Sequence, residues 1–171
     1  MKLNNRPHDF ARELDMYIPV MSLFAQIDIV VAEVPFFGKH IDLIFASPTF
    51  RSLYAVEAKL HDWRGAFKQA ALNQLAVQRS YIAVPASLGT RLAENERDLF
   101  TRHNVGLIAA GDDASVLISA TRNGSFSLRH HRILKQMLHK AQSKTPKRLG
   151  DAINALSERS QTLVLLQARA N

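Results

Sequence analysis

The sequence predicts an α/β protein, with a mixed central β-sheet flanked by helices and a basic, mainly helical C-terminal extension. Three observations carry that expectation. Short runs rich in β-branched and aliphatic residues recur between Ile27 and Ala109, and such runs read as strands. An amphipathic segment beginning at Trp63 separates two of them, so it serves as a crossover and favours parallel strands there. After Asn123-Gly124 the strand-like runs give way to basic helical patterning.

In chain order, Pro7 to Gln26 reads as helical, because Phe10, Leu14, Tyr17 and Ile18 fall at helical spacing. Pro7 suits a first-turn position, and Pro19 is expected to end or kink the helix. Ile27–Val34 is the first strand, and Phe37-Gly38-Lys39 turns the chain into a second, Ile41–Phe45. The turn-rich SPTFRS leads to a third strand, Leu53–Leu60. Asp62 is an N-cap for a helix from Trp63 to about Gln78, whose residues Trp63, Ala66, Phe67, Ala70 and Val77 form an apolar stripe. Ser80–Val84 is a fourth strand, Thr90–His103 a charged amphipathic helix, Val105–Ala109 a fifth strand, and Val116–Ser119 part of an edge hairpin. The resulting order, α-β-β-β-α-β-α-β, calls for a sheet with helices against it. Beyond it, Ile133–Gln142 reads as a basic helix, and Thr145 and Pro146 open a further one with Leu149, Ile153 and Leu156 as its apolar face. Two short helices around that turn would suit a helix-turn-helix, or a plain helical extension packed on the core.

The 171 residues suit one domain with a small appendage, divided as a core over 1–121 and an extension over 122–171. No run of eighteen apolar residues occurs, so no membrane span is expected. The start, MKLNNRPHDF, lacks the apolar core of a signal peptide. With no cysteine, disulfides and thiolate zinc sites are excluded, and a cytoplasmic location follows as the expectation. The net charge of +7 is uneven: residues 1–121 hold 12 Lys/Arg against 13 Asp/Glu, a net of −1, whereas 122–171 hold 10 against 2, a net of +8. A basic third of this kind suits a polyanion, DNA first, through Lys39, Arg129, Arg132, Lys135, Lys144, Lys147 and Arg148. The plainer alternative is a solvated helical tail.

Three charges interrupt the apolar strands: Asp42, Glu57 and Lys59. Charges on buried strands must be paired or hold a metal. Glu57 and Lys59 are two apart and share a face, and a hairpin pairing brings Asp42 beside Glu57. Converging carboxylates repel, and a hard divalent cation with oxygen ligands relieves the repulsion. The alternatives are an Asp42 paired with Lys39 or Lys59, and a Glu57–Lys59 ion pair on a wet strand face, which would add little stability.

Asp42 in GKHIDLIFA, then Glu57-Ala58-Lys59 in YAVEAKL with 14 residues between Asp42 and Glu57, and Gln69 on the following helix together resemble the PD-(D/E)XK nuclease superfamily, which includes restriction endonucleases and Holliday-junction resolvases. Ile41 stands in place of the proline, and Asn73 where some relatives have tyrosine. The resemblance covers roughly residues 8–110 and implies a restriction endonuclease-like core of α-β-β-β-α-β order. It implies a Mg²⁺-dependent deoxyribonuclease, with Mn²⁺ as a substitute. Asp42, Glu57, the main-chain carbonyl of Ala58 and an acidic residue of the first helix, Glu13 ahead of Glu33, would be the metal ligands. Lys59 would stabilise the attacking hydroxide or the charge on phosphorus, and Gln69 would orient Lys59 or the water. Relatives often dimerise, so a homodimer is a further expectation. The rivals are a DNA-binding module that keeps the fold without catalysis, and an interaction subunit of a larger complex. His130, His131 and His139 are not expected to form a zinc set, and Trp63 and Phe67 are expected in the core.

Overall fold

The computed structural model describes residues 10–24, 29–142 and 164–166. Its centre is a seven-stranded sheet built from β1 (Ile29–Phe36), β2 (Lys39–Ala46), β3 (Leu53–Ala58), β4 (Arg79–Pro85), β5 (Val105–Ala110), β6 (Ala114–Ile118) and β7 (Val164–Leu166), in the order β6-β5-β4-β3-β2-β1-β7. β1, β2 and β3 form an antiparallel meander. The helix α2 (Trp63–Asn73) then crosses to β4, which lies parallel to β3, and β5 lies parallel to β4. The expected crossover is therefore present, and the sheet is mixed.

Helices cover both faces. Met16, Tyr17, Val20 and Met21, from a 3-10 turn (Glu13–Met16) and α1 (Tyr17–Leu23), pack on Leu43, Phe45, Val56, Tyr81 and Ala83. On the other face α2 and α4 (Arg97–Arg102) bring Trp63, Ala66 and Phe100 against Ile82, Val84 and Leu107, as expected for Trp63. The helix α5 (Leu128–Gln142) seats Leu134 and Leu138 beside Val31, Ile44 and Leu53. Apolar burial on this scale, at about 25 cal/mol per Å², is what holds the layers together.

Several boundaries differ from the sequence expectation, each for a physical reason. Pro19 does not end the first helix. It is the third residue of α1, where an amide has no intrahelical acceptor, so its missing N–H costs nothing. The 3-10 turn before α1 replaces the longer helix expected there. Asp62 caps α2 as anticipated, its Oδ1 accepting from the Gly65 N–H at 2.9 Å, but the helix stops at Asn73. The charged segment Thr90–His103 is divided between α3 (Ala86–Asn95) and α4, because Glu96 leaves helical geometry at φ −121°, ψ 12°. The C-terminal third was expected to be mainly helical, yet Val164–Leu166 pairs with Val30–Ala32 as an edge strand. The helix expected to start at Thr145, with Lys144, Lys147 and Arg148, lies outside the described residues. Among the described residues no helix is long and apolar enough to cross a membrane.

Candidate active site

The antiparallel register of β2 and β3 pairs Leu43 with Val56, so the next rung sets Asp42 against Glu57. Continuing the β1–β2 register sets Glu33 against Asp42, between the paired rungs Ala32–Leu43 and Val34–Ile41. Three carboxylates thus occupy one row across three strands. The row is also where side-chain alternation breaks. Before it, Val30 and Ala32 face α1 while Ile29 and Val31 face α5. After it, Val34 and Phe36 join the α5 side, and Ile41 on β2 does the same. Glu33 makes the switch with φ +54°, a left-handed conformation uncommon outside glycine and asparagine.

Asp42 is nearly buried, and its Oδ2 accepts the Ala58 N–H at 2.7 Å. Glu57 is fully buried. Its Oε1 accepts from Asn73 Nδ2 on α2 at 2.6 Å, while Oε2 is buried with no hydrogen-bond partner among the described residues. Burial pushes the Glu57 carboxyl up to about 9, and the Asp42 charge adds to that. Burial raises Asp42 to about 6, with Lys59 and the Ala58 amide pulling the other way.

Lys59 follows β3 and turns its ammonium onto three oxygens: Glu13 Oε2 at 2.8 Å, the Ala58 carbonyl at 3.0 Å and Asp42 Oδ2 at 3.6 Å. Burial works against its charge, but Asp42 and then Glu13 outweigh that and hold its pKa above the ordinary lysine value. Among the described residues no three His, Asp or Glu side chains are gathered to enclose a metal ion by themselves. A lysine nitrogen instead stands among the oxygens expected to be ligands.

Asp42 and Lys59, though not Glu57, border a cavity of about 480 Å³ lined also by Glu13, Tyr17, Glu33, Lys39, His40 and Gln69, among others. Tyr17 donates its hydroxyl to Glu33 Oε1 at 2.9 Å. Gln69 lies on the cavity wall, but its Nε2 donates to the His40 carbonyl at 2.8 Å, tying α2 to β2. It forms no hydrogen bond with Lys59 or Glu57. The bond to Glu57 belongs to Asn73, one helical turn further on. The spacing of four from Gln69 puts Asn73 on the same helix face, which was the available signal for it.

Lys39 is exposed at the cavity rim. On α5, Arg129 and Arg132 are exposed and Lys135 half-buried. There, His131 Nδ1 lies 2.7 Å from the Ala76 carbonyl, and His139 packs edge-on against Phe50.

No family model matches this chain, and no curated protein matches it. A solved structure, a protein of unknown function from Silicibacter pomeroyi, superposes with a TM-score of 0.55 over 92% of this chain and 95% of that one, at 19% sequence identity. At that identity the likeness speaks for the shared α/β architecture alone.

Proposed function

We propose that the protein is a divalent-metal-dependent DNA nuclease with a restriction endonuclease-like core, acting in the cytoplasm on phosphodiester bonds. One observation carries the proposal: Asp42 and Lys59 meet at the edge of one cavity, the register sets Glu57 against Asp42, and the buried Glu57 Oε2 has no hydrogen-bond partner among the described residues. An oxygen in that condition suits a hard cation, since burial without a partner is unfavourable. The donor set is all oxygen, which fits Mg²⁺ or Mn²⁺. Asp42, Glu57, the Ala58 carbonyl and Glu13 would hold it. When bound, Mg²⁺ supplies Lewis-acid polarisation of the phosphoryl oxygen and acidifies water at neutral pH.

The chain's own groups do the rest. Asp42 is oriented by the Ala58 amide and Glu57 by Asn73, so neither carboxylate must be ordered during reaction. Lys59 places a positive charge where negative charge builds on the phosphoryl oxygens. Gln69 acts as a positioning residue through His40. Two copies would be needed to cut two strands from one site each, which makes a homodimer part of this proposal.

The test is cleavage of plasmid and branched DNA with Mg²⁺, Mn²⁺ or chelator, for the native chain and Asp42→Asn. Metal-dependent cutting lost in the variant supports the proposal. DNA binding with no cutting in any metal sinks it in favour of a binding module.

The α5 face would meet the phosphate backbone. Removing residues from 130 onward is a poor probe, because Leu134 and Leu138 are buried in the core. Substituting Arg129, Arg132 and Lys135 together with alanine leaves that packing in place. The slope of log affinity against log salt is expected to flatten by about 0.9 for each phosphate no longer neutralised. An unchanged slope would remove α5 from the interface.

A further inference from the structure

The β1–β2 hairpin closes on the Phe36–Lys39 rung, so its loop is Phe37-Gly38, with φ +49° and +73°. Two consecutive positive φ values define a type I′ turn, whose first position favours Asn, Asp or Gly. A phenylalanine there is unfavourable, and burial does not offset it, because Phe37 remains 48% exposed. Its ring is held by Phe36 and His130, with centroids at 4.4 and 4.8 Å. It borders a groove of about 470 Å³ that continues over Ile133 and Met137 and is edged by Arg129. Among the described residues no acidic side chain lines the groove, and α5 carries none from Leu128 to Gln142. The surface therefore offers a fixed aromatic plane within positive charge, which complements a polyanion carrying flat apolar units.

The same hairpin leads to the carboxylate cavity, whose rim includes Lys39 and His40. Phe37 precedes Asp42 by five residues of strand, a span of about 16 Å, or about five base steps at ~3.4 Å each.

We infer that Phe37 stacks on an unpaired nucleobase of the DNA strand that enters the cavity, so that the substrate is single-stranded or distorted DNA rather than regular duplex. This rests on the nuclease proposal and goes further in naming the substrate class. A base paired inside a duplex has no free face for the ring, whereas an unstacked one gains it at no pairing cost.

The test uses fluorescence anisotropy with chelator present, on a single strand, a flapped duplex and a blunt duplex, for the native chain, Phe37→Asn and Phe37→Trp. Asparagine suits the turn, so Phe37→Asn is expected to fold at least as stably while losing about 5- to 100-fold in affinity for the single strand and flap. Affinity for blunt duplex stays within about twofold, as the groups that meet the phosphate backbone are untouched. Phe37→Trp retains flap binding, and its fluorescence is quenched on adding the strand. Equal losses on all three DNAs, or none, overturn the inference. So does a concentration-dependent dimer that Phe37→Asn abolishes, since the ring would then serve a second copy of the chain. A native chain that binds no DNA sinks the nuclease proposal as well. One that binds and cuts without regard to Phe37 loses only the stacking role.

Discussion

Replacing Lys59 with methionine is expected to lower metal-dependent cleavage by about 10²–10³-fold, the loss typical of removing one charge-stabilising donor, while tightening the binding of Mn²⁺. The two effects run in opposite directions because of where the ammonium lies. It sits on Glu13 Oε2, the Ala58 carbonyl and Asp42 Oδ2, three of the oxygens assigned to the cation. A divalent ion and the lysine therefore compete for them, and methionine removes the competitor at similar length. Glu13 is left without its partner at little cost, because its side chain is 43% exposed and such pairs contribute little. Cleavage is followed by plasmid nicking, and Mn²⁺ affinity by calorimetry without DNA. If Mn²⁺ binding weakens, Lys59 supports the site rather than filling it, and the cation lies elsewhere.

How much of this was legible in the sequence depends on which physical signal each residue leaves. Asp42 and Glu57 were legible because charges inside apolar runs are anomalous, and the meander of short connections makes their strands neighbours. Register then brings them opposite one another, as the Leu43–Val56 rung requires. Asn73 left only a weak trace, since a helix asparagine reads as solvent-facing. It is 1% exposed here because a carboxylate below needs its amide. The place of Glu33 in the row was not legible from spacing alone. A two-residue period carried through β1 gives the wrong face for Val34 and Phe36, because the left-handed backbone at Glu33 inverts it. The edge strand Val164–Leu166 was not anticipated, since three residues in a basic segment carry no periodic signal of their own and depend on β1 for pairing.

The inverted row has a consequence for the site. Glu33 turns to Tyr17 on the α1 side, while Glu57 turns to Asn73 on the α2 side. Asp42, between them in register, is the member of the row that carries the ion pair with Lys59. The row thus avoids placing three like charges on one face, at the cost of one left-handed residue, and leaves two of them bordering the cavity.

Glu57→Gln is expected to raise thermal stability at pH 8, with a gain that shrinks towards pH 4.5. In the folded chain the Glu57 carboxyl is pushed up to about 9 by burial and by Asp42, from an ordinary value of 4.5. Below the lower value both folded and unfolded chains hold the proton, and the residue contributes no pH dependence. Between the two, the unfolded chain releases a proton that the folded chain keeps, so stability falls as pH rises. Glutamine has no proton to release and keeps a carbonyl for Asn73, so it escapes that loss. The gain should appear as about 5 °C or more at pH 8, given ~2–4 °C per kcal/mol for a chain of this size. Magnesium reverses the ranking for the native chain: binding requires the carboxylate, so its midpoint rises with Mg²⁺, and more at pH 8 than at pH 6. The glutamine variant should respond far less. Both are read by differential scanning calorimetry across the pH range with Mg²⁺ or chelator. A variant less stable than the native chain at pH 8 would mean that the Glu57 charge is satisfied within the protein. The unpartnered oxygen would then cease to be an argument for a cation.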